Sequence, residues 1–281
     1  MRVILLFTIS LFLGLFSCGS VSKPVEDSLP EVNSLPQEEQ EEQVIEDTSS
    51  ELQSAPYSNG VFVLCYHAFN DNPHDITFPI RVLDRQMETL KNAGFNFITT
   101  EDFIAQRYRG LNNVLITSDD GNRSVYRAYH EVFKKYGIKP LIAIYPTIIS
   151  VDPFALTWEQ VAELRKEGCY IASHGYNHLY LNAAAYRSNP SASRREVVES
   201  KKLLESKLGF DIDVFVYPYG SGCPEIIKLV EETGYNFAFT IDTDIIYREN
   251  QNIKRFELPR YMVTNSNVNR IFELMIKTIN D

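Results

Sequence analysis

Between residues 61 and 240, short runs of apolar, β-branched and aromatic residues alternate with segments of helical periodicity. The strand candidates are VFVLCYH ending at His67, FNFIT at Thr99, NVLIT at Thr117, PLIAIY at Tyr145, CYIAS at Ser173, VFVY at Tyr217 and NFAFT at Thr240. The intervening segments carry helix signals. Thr157 with Gln160, and Ser193 with Glu196, have capping-box spacing, and Gly137, Gly168, Gly209 and Gly234 stand where helices should stop. Pro224 suits a first helical turn. Strands that are apolar throughout, separated by helices, call for a parallel sheet covered on both faces, as a closed barrel or an open doubly wound sheet. About seven βα units favour an irregular (β/α) barrel with about seven parallel strands.

The first 56 residues do not share this pattern. One cation, Arg2, precedes an apolar run from Val3 to Phe16 that is too short to span a bilayer and has the proportions of a signal peptide. Leu15, Phe16, Ser17 and Cys18 resemble a bacterial lipobox, with bulky Phe16 departing from the usual small residue. This implies a signal peptide over residues 1–17, a lipidated Cys18, and anchoring to a membrane of the bacterial cell envelope facing the periplasm or exterior. The alternative is a plain secretory signal in which Cys18 is incidental. Residues 19–56 carry ten acids against Lys23 alone and no aromatic side chain. Such a segment buries too little apolar area to offset its ordering entropy, so residues 18–56 read as a disordered acidic tether and residues 57–281 as the folded domain.

Charge then narrows the partners. The chain carries −10 overall, but residues 57–281 carry only −2. Neither offers the basic excess that phosphate neutralisation requires, so nucleic acid is excluded as the expected partner. Cys65, Cys169 and Cys223 lack metal-site spacing, and buried thiols and one disulfide both remain open.

Candidate chemistry collects at strand ends. His67 ends the first strand, Asp119 and Asp120 follow the third, His174 follows the fifth, and Pro218, Tyr219 and Gly220 follow the sixth. In a parallel barrel these positions share the C-terminal rim, where active sites are built. Taken singly, Asp119-Asp120-Gly121 is only a turn and His67 only a structural histidine. His174 and His178, four residues apart, would lie on one face of a helical turn and reach one metal. With one carboxylate they would give three protein ligands and leave open positions, the catalytic arrangement. Gly175 stands where zincins carry their general base, so the base must come from another segment, and an Asp is available.

Together, ITSDDG around Asp119, TWEQVAELRKEG, SHGYNH and YPYG resemble the NodB-like polysaccharide deacetylases of carbohydrate esterase family four, over residues 61 to about 263. The resemblance implies Asp119 as catalytic base and Asp120, His174 and His178 as ligands of one divalent metal, most often Zn2+, with Co2+, Ni2+ or Mn2+ as alternatives. It also implies the Tyr219 backbone N–H as an oxyanion donor, flanked by Pro218 and by Gly220, which would let the backbone approach substrate. Three departures are visible. Ser118 replaces an aromatic residue, Val216 replaces the arginine that orients the base, and no histidine follows His178 to act as late general acid. Arg260, in ELPRYMV, resembles an arginine found late in relatives that also carry Tyr-Pro-Tyr-Gly. Tyr66-His67 resembles the early Tyr-His of poly-β-1,6-N-acetylglucosamine deacetylases, which makes His67 the substitute acid. The implied reaction is hydrolysis of N-acetyl groups on the amino sugars of a cell-envelope or extracellular polysaccharide. Two rival readings are an inactive glycan-binding surface lipoprotein and a metal-dependent hydrolase of another amide.

Overall fold

The computed structural model describes residues 58–71 and 74–281, all within the compact unit Gln53–Asp281. The expectations for the signal peptide, for Cys18 and for the tether fall outside the described residues. Nine strands form one sheet: β1 (Gly60–Tyr66), β2 (Asn96–Phe97), β3 (Asn113–Ser118), β4 (Leu141–Ile144), β5 (Tyr170–Ser173), β6 (Val214–Val216), β7 (Phe237–Phe239), β8 (Ile246–Tyr247) and β9 (Tyr261–Met262). Around them lie α1 (Ile80–Asn92), α2 (Thr100–Ile104), α3 (Ser124–Glu131), α4 (Trp158–Lys166), α5 (Ala183–Ser188), α6 (Pro190–Leu208), α7 (Pro224–Glu232), α8 (Arg248–Gln251) and α9 (Val268–Asn280).

The hydrogen-bonded path runs β1-β3-β4-β5-β6-β7 in parallel. It then returns to its start. Phe239 in β7 bridges Leu258 in parallel, and β9, just beyond, pairs in parallel with β1 through Leu64 and Tyr261. Seven parallel strands thus form the irregular barrel expected from the sequence, although the ring takes in β9, which is not among the strand candidates, and leaves the short parallel β2 beside β3. The short β2 and antiparallel β8 pair with β3 and β1 near their starts. All seven strand candidates contain a strand, though FNFIT keeps only two residues because Thr99 instead caps α2 in a capping box with Asp102.

Alternation along each strand divides the core. Val61, Val63, Leu115, Leu141, Ala143, Ala172, Val214, Val216 and Phe239 pack together inside the barrel, while Phe62, Leu64, Tyr66, Val114 and Ile116 pack against the helices. Several predicted helix ends hold: Thr157 and Gln160 cap α4 reciprocally, Pro224 opens α7, and Gly209 closes α6 in the left-handed conformation. The box expected at Ser193 and Glu196 does not form. Asn189 caps α6, Pro190 occupies its first turn, and both predicted residues lie inside the helix, fully buried. The three cysteines are buried free thiols, so no disulfide joins them.

Candidate metal and catalytic site

The rim at the C-terminal ends of the strands gathers side chains from five segments. β3 runs into Asp119, whose N–H donates to the Tyr66 carbonyl at 2.9 Å and so extends the pairing with β1 by one residue. The chain then turns sharply. Asp120 (φ 70°) and Gly121 (φ 64°) are both left-handed, a conformation Asp tolerates better than most residues. At Gly121 a Cβ would come within 3.0 Å of Ile144 Cγ2. This turn leaves Asp119 over the barrel interior and Asp120 beside the histidines.

Arg260, 0% exposed, clamps Asp119 from the segment that closes the barrel. Its Nη1 and Nη2 donate to the two carboxylate oxygens at 2.8 Å each, Nη1 also reaches Thr117 Oγ1 at 3.0 Å, and Nε reaches the Thr240 carbonyl at 2.9 Å. Burial disfavours charge on Asp119, but Arg260 and then His174 outweigh it and hold the carboxyl well below the usual range. The arginine lost at Val216 in sequence is thus matched in space by one from the segment that follows β7 around the ring.

His174 leaves β5 with its ring fully buried. Its Nδ1 lies 2.8 Å from the Val216 carbonyl, which can only accept, so Nδ1 carries the proton and Nε2 faces the rim. There Nε2 stands 3.5 Å from Asp120 Oδ1 and 3.1 Å from His178 Nε2, which is itself 3.3 Å from Asp120 Oδ1. Three ligands bonded tetrahedrally at 2.0–2.1 Å would stand about 3.4 Å apart, so these three atoms fit a zinc-type ion. His178 is pushed down to about 4 by burial and by neighbouring His174, and it is therefore neutral and ligand-competent near pH 7. For His174 burial opposes the charge, but Asp119 and Asp120 raise its pKa.

The histidine pair does not sit on a helix. Residues 174–180 form an irregular loop in which Gly175 (φ 79°) and His178 (φ 62°) are left-handed. Glu196 shapes this loop from α6. Its fully buried carboxylate accepts from the backbone N–H groups of Tyr176 (2.9 Å), Asn177 (3.0 and 3.1 Å) and Leu179 (3.2 Å). A Cβ at Gly175 would come within 2.6 Å of Glu196 Oε2, so only glycine lets the carboxylate approach. Sequence reading missed this role. The available signal was an acid among Ser193, Val197, Ser200 and Leu204, on the stripe that α6 buries.

His67 lies just past β1, half-buried, and its Nδ1 is buried with no hydrogen-bond partner among the described residues. One of its ring nitrogens, the Cys65 sulfur and an Asp119 oxygen lie within 4.8 Å of one another. The Cys65 thiol donates to Asp119 Oδ2 at 3.4 Å, and burial raises its pKa well above that of a free thiol. Ser118, whose place is aromatic in the resembled family, points its hydroxyl toward the His67 carbonyl at 3.4 Å.

Pro218 is buried, and Tyr219 is left-handed (φ 57°) with its ring 4.5 Å from that of His178. At Gly220 (φ 66°) a Cβ would strike the Ile241 side chain and come within 2.8 Å of its backbone nitrogen, which by itself calls for glycine. This close approach is to the neighbouring strand connection. The aromatic side chains of Tyr145 and Tyr180 also border the site, unflagged by the sequence because nothing in their local spacing marks them.

Residues 108–238 match the family described as polysaccharide deacetylase. Among curated proteins, YxkH of Bacillus subtilis (strain 168), provisionally named a polysaccharide deacetylase, is 27% identical over 87% of this chain and 88% of its own length. The poly-beta-1,6-N-acetyl-D-glucosamine N-deacetylase of Staphylococcus epidermidis is 24% identical over 68% of each chain. Among solved structures, IcaB from Ammonifex degensii superposes with a TM-score of 0.69 at 25% identity, covering 78% of this chain and 97% of that one.

Proposed function

Because the chain carries a polysaccharide deacetylase domain of the NodB-like family, we propose that it hydrolyses N-acetyl groups of amino-sugar residues with one divalent metal held by Asp120, His174 and His178. The observation that carries this reading is the convergence of those three ligand atoms, 3.1–3.5 Å apart, beside an ionised Asp119 clamped by Arg260. A zinc-type ion would supply Lewis acidity toward the acetamide oxygen and a bound water of lowered pKa.

This chain's residues supply the rest. Asp119, kept as a carboxylate, takes the proton of the attacking water. Arg260 fixes that carboxylate in plane and compensates its charge before the proton arrives. The Tyr219 backbone N–H would donate to the developing oxyanion, a role that the resemblance to the family supports. His67, whose Nδ1 is unpaired and one of whose ring nitrogens lies within 4.8 Å of an Asp119 oxygen, delivers a proton to the departing amine, so acetate and a free amino sugar leave. A glycan-binding protein without chemistry would not need a forked counter-ion on a buried carboxylate, and this favours catalysis over binding alone.

The proposal extends to location. The lipobox-like Leu15-Phe16-Ser17-Cys18 and the acidic segment that follows support a mature chain beginning at a lipidated Cys18, anchored to a cell-envelope membrane and acting on an envelope or extracellular polysaccharide. The deciding experiment is acetate release from N-acetylated glycans, before and after chelation and with Zn2+, Co2+, Ni2+ or Mn2+ restored. Loss on chelation and recovery on addition is expected. Release that survives complete removal of metal overturns the assignment.

A further inference from the structure

Two large aromatic side chains beside the site are left open. Tyr180 and Tyr219 are 52% and 46% exposed, yet their rings stack face to face, 3.8 Å between centroids and 14° between planes. Tyr219 stands between Tyr180 and His178, whose ring is 4.5 Å away. The stack therefore begins at a candidate metal ligand and leads outward across the rim.

Tyr180 is exposed but not loosely held. On one side the Leu179 N–H is fixed by the buried Glu196 carboxylate at 3.2 Å. On the other, Leu181 is fully buried, and Asn182 caps α5 by accepting from the Ala185 N–H at 2.9 Å. The chain is pinned immediately before and after this one residue. An aromatic ring presented this way loses little freedom when something settles on it.

On the deacetylase reading, on which this inference rests, an acetamide group must reach the Asp120-His174-His178 cluster. The sugar ring next in the polymer must then pass over neighbouring rim. A β-linked gluco-configured pyranose carries its substituents equatorially and its C–H bonds axially, which gives it two flat, weakly apolar faces. Such a face matches an aromatic face in size and polarity, as the hydroxyl groups around its edge stay in water. The geometry points to Tyr180, backed by Tyr219, as a stacking platform for the pyranose ring adjacent to the one being deacetylated. It would make the protein selective for chains over single sugars. Polymer selectivity would then come from a fixed surface outside the metal centre.

The test uses the full chain loaded with zinc, comparing wild type, Tyr180→Ala and Tyr180→Phe. The probes are N-acetylglucosamine and a β-linked pentasaccharide of N-acetylglucosamine. Both KM and kcat are read from acetate release, and pentasaccharide affinity is read independently by calorimetry. In Tyr180→Ala, KM and Kd for the pentasaccharide should rise roughly 3- to 10-fold, the worth of one aromatic stacking contact. The kcat, the monosaccharide KM and the Tm should stay within error, and Tyr180→Phe should behave as wild type. Equal pentasaccharide affinity in wild type and Tyr180→Ala overturns the platform, as does an equal rise in KM for both sugars. If wild type binds the pentasaccharide more tightly than Tyr180→Ala does but releases no acetate, the catalytic reading fails and the platform stands.

Discussion

Asp119 and Arg260 are each almost wholly removed from solvent, so neither tolerates the loss of the other. Replacing one partner of a buried pair leaves an uncompensated charge and costs about 3–5 kcal/mol. Arg260→Gln should therefore lower the unfolding free energy by about that much in a denaturant titration. It should also raise the Asp119 pKa, since the largest influence lowering it has gone, and shift the ascending limb of the pH–rate profile to higher pH. The sign of the stability effect follows from the same depression. A carboxyl held below its unfolded value of about 3.9 stabilises the native protein fully above that pH and loses the contribution as pH falls below it. Wild type should accordingly lose stability on acidification more steeply than Asp119→Asn, as seen in melts between about pH 5 and pH 2. Asp119→Asn and His67→Asn should both retain bound metal by elemental analysis while deacetylation falls about 10²–10⁴-fold. Near wild-type rates in His67→Asn would remove it from the mechanism.

Among the elements, the loop after β5 depends most on a side chain from elsewhere. Glu196→Gln replaces an all-acceptor group with one that also presents N–H donors to the Tyr176, Asn177 and Leu179 N–H groups. Metal affinity should weaken about 10–100-fold by competition with a chelator, the usual cost of losing support behind the ligands. Val197→Ala, beside it in α6, should lower Tm without changing that affinity. Gly220→Ala should destabilise through both its left-handed backbone and the clash with Ile241, by about 1–3 kcal/mol. Sequence alone carried the strands well because unbroken apolar runs such as VFVLCY and NVLIT are buried on both faces. It missed β8 and β9, which are two residues long and exist only because β1 offers them an edge. It brought the metal-ligand candidates together through strand-end position but misread their local geometry: the four-residue interval suggested a helix, whereas Gly175 and a remote glutamate make a loop. Glu196 was misassigned to a capping box for a related reason. Spacing to Ser193 is visible in one dimension, and a hydrogen bond to a segment 20 residues earlier is not.

For the whole molecule, the proposed anchor is expected to be dispensable for the chemistry of the folded domain. A chain lacking residues 1–56 should deacetylate soluble oligosaccharides at the rate of the full protein, because every residue of the candidate site lies in residues 67–260. In a bacterial host, Cys18→Ser should lose incorporation of labelled fatty acid and leave the membrane fraction, and equal labelling of the two would exclude lipidation at this residue. Chain order adds a further constraint, set by the segment through which the sheet returns to β1. Asp120, His174 and His178 all precede Arg260, so a chain ending short of Arg260 would keep the candidate metal ligands while the carboxylate beside them lacked its counter-charge. Only when the segment bearing Arg260 slots between β7 and β1 are the pairing of first and last strands and the charge balance of the reaction centre both completed. Docking of this one segment thus joins closure of the sheet to neutralisation of Asp119, and on the proposed mechanism a chain lacking it should be inert toward glycans even with an ion bound.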